Sequence, residues 1–296
     1  LAWPRSAGAF SVYDEAGDVQ IGRENDPQIL RQFGYYEAPD LQNYVAQVGQ
    51  RVVASSDTRF SFQFKVVDHP SINAMALPGG FIYITRGILA EMNDEAQLAC
   101  ILGHEATHVN SRHAAKLMTK ALGAQIATIL GLGAAAATRS GSAASGIAMI
   151  SSHVTNYMLL GYGREYELEA DEVGLRYAKR AGYDPRRMLS FMRVLRRREI
   201  MRGQRVYHAF DVTHPDTAIR LAKADTMADL LVNEGGIMEV RGNEFRAQLE
   251  GLLFGEAKEQ RRLRIYTVKP GDTLAGVARQ ELGDEGKRFE LAGLND

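Results

Sequence analysis

A chain of 296 residues, 45% of them hydrophobic, is long enough for one large domain or two smaller ones and apolar enough for a sizeable core. Its formal charge of −1 excludes the strongly basic balance of a nucleic-acid-binding protein. Cys100 is the single cysteine, which excludes an intrachain disulfide and a cysteine-built metal site and leaves the redox compartment open.

The chain begins at Leu1 with no charged stretch leading into an apolar one, which predicts a processed chain whose signal peptide has been removed. Residues 1–27 are polar and glycine-bearing and predict an extended arm ahead of a main domain over 28–263. Leu41, Val45, Val48 and Val52 recur at helical spacing, so a helix is expected from about Asp40 to Ala54. Phe60, Phe62, Phe64 and Val66 alternate like a half-buried strand. Pro78-Gly79-Gly80 then marks a turn between Ala74–Leu77 and a second strand, Phe81–Thr85.

Helical signals dominate the remainder. Asp94 with Gln97 forms a capping-box pattern ahead of the stripe Leu98, Ile101, Leu102, Glu105, His108 and Val109. Residues 121–150 are rich in alanine, glycine and isoleucine, without charge from Ala121 to Thr138; a helical hairpin beside the site is expected, with a membrane-surface contact as the alternative. Further helices are expected over Arg164–Arg180, stopping at Gly182, after Asp184-Pro185, after His214-Pro215, and over Asn243–Leu263. Many helices with a small sheet is an α+β pattern.

The chemistry centres on His104-Glu105-Ala106-Thr107-His108. Two histidines at i and i+4 lie one turn apart on the same helix face, so both imidazoles can reach one Zn²⁺. Glu105 is placed to polarise water beside the metal rather than to bind the metal. A catalytic zinc usually takes a third protein ligand. The metzincin pattern is excluded, because Ser111 and Ala114 stand where it needs glycine and histidine. His113 lies half a helical circumference from His104 on a continuous helix and cannot share the metal face. The acidic run Arg164–Asp171 offers two same-face pairs, Glu165 with Glu169 and Glu167 with Asp171, and spacing does not choose between them.

Three segments together resemble the CAAX-prenyl-protease-like family of zinc metallopeptidases, in particular its soluble bacterial periplasmic branch. They are Asn73-Ala74-Met75-Ala76-Leu77-Pro78-Gly79-Gly80, the His104–His108 pentapeptide, and Glu167-x-x-x-Asp171. The resemblance implies a helix-rich zincin-type domain holding one Zn²⁺ per chain on His104, His108 and Glu167. It implies that Asp171 hydrogen-bonds a ligand histidine. His214, in Thr213-His214-Pro215, would face the metal as oxyanion partner or resting-state block, and Arg220 would organise that loop. Peptide substrate in such enzymes lies as an added strand, along Phe81–Thr85 or Ala74–Leu77, which makes Ala74, Met75, Ala76, Phe81 and Tyr83 candidate substrate contacts. The other histidines, His69, His153 and His208, have no partner motif.

Ile265-Tyr266-Thr267-Val268-Lys269-Pro270-Gly271-Asp272-Thr273-Leu274, with Ala278 and Leu291-x-x-Leu294-Asn295, resembles the opening of a LysM domain. That resemblance implies peptidoglycan binding through residues 265–296. The expected function is a zinc endopeptidase acting on unfolded or misassembled envelope proteins in the periplasm, with the outer-membrane assembly machinery as a candidate partner. The alternatives are an assembly scaffold with a self-inhibited metal site and a cell-wall-binding protein.

Overall fold

The computed structural model describes residues 14–120, 161–201, 214, 218–258 and 260–294. The expected hairpin over 121–150, His153 and His208 lie outside these residues.

The chain opens with helix α1 (Glu15–Phe33), capped by the Asp14 carboxylate, which accepts a hydrogen bond from the Gly17 N–H at 2.9 Å. Residues 15–27 are therefore helical, not an extended arm. Ile21, Ile29 and Phe33 form a buried face too sparse to show as periodicity. Helix α2 (Pro39–Val53) falls within a residue of expectation and buries Leu41, Val45, Val48 and Val52. Gly49 lets it lie against the sheet, since a Cβ there would stand 2.6 Å from the Phe64 ring.

Strands β1 (Gln63–Val67), β2 (Ala74–Leu77) and β3 (Phe81–Thr85) form a sheet in the order β1-β3-β2, with β1 parallel and β2 antiparallel to β3. The β2–β3 turn needs its glycines: Gly79 and Gly80 have φ of +80° and +104°. Because β3 pairs on both sides, Phe81 and Tyr83 do not lie on an edge, which corrects one of the two substrate-strand expectations. β2, like β1, is an edge strand among the described residues, yet Ala74, Met75, Ala76 and Leu77 are all buried. Ala74, Ala76, Ile82 and Ile84 join the main core, while Met75, Leu77, Phe81 and Tyr83 pack with α1 residues Ile21, Ile29 and Phe33.

A single turn α3 (Arg86–Leu89) leads to α4 (Glu95–Asn110), in which every residue from Glu95 to Val109 is buried. The Asp94 carboxylate caps it, accepting from the Gln97 N–H at 2.9 Å. Burying an aliphatic side chain such as Leu98 or Ile101 contributes about 1.5–3 kcal/mol, so α4 is the axis of the core. It packs against α5 (Arg164–Arg180), which ends ahead of Gly182 at φ +88°. Helices α6 (Arg187–Met201) and α7 (Ala218–Asn233) follow.

The helix expected over 243–263 is shorter. Only α8 (Gly242–Gln248) forms, and Leu253–Phe254 pairs with Arg261–Arg262 as a small hairpin, β4 and β5. Gly251, at φ +80°, turns the chain after the helix, and Gly255, at φ +85°, opens the connection between β4 and β5. In the C-terminal segment Thr273 caps α9 (Leu274–Leu282), and α10 (Arg288–Leu294) closes the described chain. Residues 263–269 form no strand, so the strand expected to open a LysM-like segment is not formed there. The architecture is α+β, as expected. No helix among the described residues is long and apolar enough to cross a membrane.

Candidate metal centre

Helices α4 and α5 cross at two glycines. A Cβ on Gly103 would lie 2.7 Å from the Gly174 carbonyl oxygen, and one on Gly174 would lie 2.6 Å from the His104 nitrogen. This close approach brings Glu167 and Asp171 of α5 against His104 and His108 of α4. Of the two acidic pairs, Glu167 and Asp171 point into the core at 0% and 3% exposure. Glu165 is exposed and Glu169 half-buried.

Four donor groups converge in a fully buried cluster: His104, His108, Glu167 and His214. His104 Nε2 lies 3.1 Å from His108 Nε2 and 3.2 Å from His214 Nδ1. Glu167 Oε1 is 3.1 Å from His214 Nδ1 and 3.4 Å from His108 Nε2, and its Oε2 is 3.5 Å from His104 Nε2. Ligand atoms about 2.0–2.1 Å from a tetrahedral metal stand roughly 3.3–3.4 Å apart. The observed separations match that requirement, and two imidazoles facing each other nitrogen to nitrogen at this distance need a cation or a shared proton between them. The donor set fits a metal ion.

Glu105 sits beside this cluster with 0% exposure. Neither of its carboxylate oxygens accepts a hydrogen bond among the described residues, and Oε1 stands 3.3 Å from His214 Nε2. Burial raises its pKa above the usual carboxylate range, against the opposing pull of His214 and His104. A carboxyl group tuned upwards in this way suits repeated proton uptake and release.

The surrounding groups hold the donors in place. His104 Nδ1 meets Asp171 Oδ1 at 3.0 Å. Arg220, 1% exposed, donates from Nε and Nη2 to the two Asp171 oxygens at 2.7 Å each, from Nη1 to the His214 carbonyl at 3.0 Å, and contacts Glu167 Oε2 at 2.8 Å. One guanidinium thus ties Glu167 and Asp171 of α5 to the His214 backbone. Burial opposes charge on His104, but Asp171 and Glu167 outweigh it and push the imidazole up to about 9. Burial likewise works against the Glu167 carboxylate, yet His214, His104 and His108 hold it well below its ordinary range. The negative field that favours a proton on His104 equally favours a metal cation.

The structure thus brings together His104, Glu105, His108, Glu167, Asp171, His214 and Arg220. It separates Phe81 and Tyr83, on the central strand, from any edge role. Sequence reasoning missed Tyr162, whose ring stacks on His108 with centroids 4.0 Å apart and planes 17° off parallel. It also missed the surroundings of His113. The motif helix does not continue to that residue: Ser111 and Arg112 form a turn, Arg112 adopts φ +52°, and residues 113–120 start a new helix. His113 remains off the metal face, but its Nδ1 lies 2.9 Å from His108 Nδ1. Asn110 and Ser111 lead into the turn, but the left-handed position itself is an arginine, which gives no sign of it in the sequence.

Two histidines one turn apart on a buried helix, completed by a glutamate from the neighbouring helix with a second glutamate beside them, define a zincin-type metallopeptidase site. The chain belongs to Peptidase family M48, whose model matches residues 39–228. It is 31% identical over 183 residues to a putative beta-barrel assembly-enhancing protease of Vibrio cholerae, covering 61% of this chain and 36% of that one. It is 28% identical over 226 residues to the beta-barrel assembly-enhancing protease of Escherichia coli, covering 75% and 46%. The mitochondrial metalloendopeptidase OMA1 of Schizosaccharomyces pombe is 31% identical over 213 residues, covering 70% and 60%. The chain spans less than half the length of the two beta-barrel assembly-enhancing proteases.

Proposed function

We propose that this protein is a zinc-dependent endopeptidase that cleaves unfolded or misassembled proteins of the bacterial envelope. The observation that carries this reading is the buried set of donor atoms from His104, His108 and Glu167 with the Glu105 carboxylate beside it, which accepts no hydrogen bond among the described residues. Zinc, the usual metal for two imidazoles and a carboxylate, would supply Lewis acidity, polarising a peptide carbonyl and letting water lose a proton near neutral pH.

The remaining work falls to the protein. Glu105 accepts the proton of the attacking water and passes it to the leaving amine. His214 takes two positions. At rest its Nδ1 completes the donor set; when it swings out to admit substrate, its ring can donate to the developing oxyanion. Asp171 and Arg220 fix His104 and the His214 backbone in register through these changes. Substrate pairs with β2, an edge strand beside the site. The names of the relatives support an envelope location and contact with the machinery that assembles outer-membrane β-barrels.

The test compares wild type, Glu105→Gln and His214→Ala. Glu105→Gln should bind one zinc per chain and lose at least about 10³-fold in cleavage of an unfolded polypeptide. His214→Ala should retain zinc and bind a zinc-directed inhibitor more tightly than wild type, because the resting block is gone, while cleaving more slowly for want of the oxyanion donor. Wild type that binds no zinc, or Glu105→Gln that cleaves at the wild-type rate, sinks the reading. A specific observation also favours the scaffold alternative, since His214 fills the donor set and the whole centre is buried. It prevails if Glu105→Gln supports envelope assembly as well as wild type does.

A further inference from the structure

The two candidate ligand histidines are braced differently. His104 leans on a carboxylate, Asp171, whereas His108 leans on another imidazole. Its Nδ1 is 2.9 Å from His113 Nδ1, and the rings meet edge to face at 76°. His113 is 0% exposed, and its Nε2 lies 3.3 Å from Glu169 Oε2. The other oxygen of Glu169 accepts the Ser111 hydroxyl at 2.6 Å. The Tyr166 ring stacks on His113 with centroids 4.6 Å apart.

Resting on the metal-centre reading above, we infer that His113 is a positioning residue for the metal, and that His108, His113, Glu169 and Ser111 form a directed relay that fixes the tautomer and tilt of His108. The direction follows from donor counting. His108 presents its Nε2 lone pair to the donor cluster, so its ring hydrogen sits on Nδ1. His113 Nδ1 must then accept, which puts the His113 hydrogen on Nε2, facing the Glu169 carboxylate. Ser111 supplies a second donor to that carboxylate and holds it in place. Each link forces the next, and only one proton arrangement satisfies all of them. The turn at Ser111 and Arg112 exists on this account to fold His113 back beneath His108.

Such outer partners of a ligand histidine typically change metal affinity by 10–100-fold when removed. Two substitutions separate a hydrogen-bonding role from a packing role. His113→Asn keeps an acceptor oxygen where Nδ1 stood; His113→Phe keeps the ring stack on Tyr166 and loses the acceptor. Zinc affinity, measured by competition with a chromogenic chelator, should fall about 10–100-fold in His113→Phe and stay within about threefold of wild type in His113→Asn. The visible spectrum of the Co²⁺ form should shift in His113→Phe and return in His113→Asn. Glu169→Gln, isosteric and at a half-buried position, should weaken zinc binding by a smaller factor and provides the readout should His113→Phe fail to fold.

Wild type that binds no zinc would remove the metal-centre reading itself. Wild type that binds one zinc, with His113→Phe and Glu169→Gln equal to it in affinity and Co²⁺ spectrum, would overturn the relay alone. Equal losses in His113→Asn and His113→Phe would overturn it too, leaving His113 as packing.

Discussion

Gly103 and Gly174 meet backbone to backbone where α4 crosses α5, with room for no Cβ on either. Everything in the metal centre depends on that contact, because it sets the distance between the His104–His108 pair and Glu167. Gly174→Ala would put a methyl group 2.6 Å from the His104 nitrogen, and no side chain can move aside to relieve it. The helices must separate, at about 1–3 kcal/mol of stability. Zinc affinity should drop at least about tenfold with it. Urea unfolding and zinc titration of the alanine variant would measure both, and an unchanged pair of values would refute the account.

Arg220 is the one guanidinium among the described residues that contacts both Glu167 and Asp171, which otherwise share only the His104 imidazole. Arg220→Met should therefore leave two buried carboxylates short of positive charge and cost about 3–5 kcal/mol in the metal-free protein. Added zinc should recover part of that loss by neutralising Glu167 and binding the folded state alone. Thermal unfolding with and without zinc tests this, and a variant as stable as wild type when metal-free would contradict it.

Asp18 on α1 pairs with Arg112, just beyond the motif helix. Burial pushes the Asp18 carboxyl up to about 6, and the Arg112 guanidinium only partly opposes it. The folded chain thus holds this proton more tightly than the unfolded chain does. The contribution of Asp18 is largest below about pH 4 and declines as pH rises through 6, by about 3 kcal/mol at most. Asp18→Asn removes the titration, so the variant should gain on wild type between pH 4 and pH 7. Parallel unfolding curves across that range would show the gain, and a constant offset would rule the mechanism out.

Tyr162 covers the outer side of His108 by ring stacking. Tyr162→Ala should speed zinc extraction by a chelator several-fold, whereas Tyr162→Phe should leave it near the wild-type rate. If the alanine variant releases zinc no faster, the ring is not a cover.

Much of the centre was legible because its signals are local. The i, i+4 histidines, the Asp94 cap and the Gly182 stop each act within a turn of helix, and all three stand where the sequence puts them. The choice between Glu165 with Glu169 and Glu167 with Asp171 was not local. It depends on which face of α5 the Gly103–Gly174 crossing turns towards α4, and only packing settles that. Helix α1 escaped notice because Ile21, Ile29 and Phe33 are too widely spaced to outweigh its charged residues. The central place of β3 is a matter of strand order, which alternation along a strand cannot reveal. His113 was hidden by Arg112, a residue with no preference for the left-handed conformation it adopts.

On the proposed reading, the His214 ring also has a pharmacological consequence. A side chain that fills the fourth position belongs to the same molecule, so its effective concentration there is set by the tether and reaches the millimolar range or above. Hydroxamates and similar zinc-directed inhibitors must displace it before they bind. Their potency against this protein would be discounted by that internal competition, and truncating His214 to alanine would restore their full affinity.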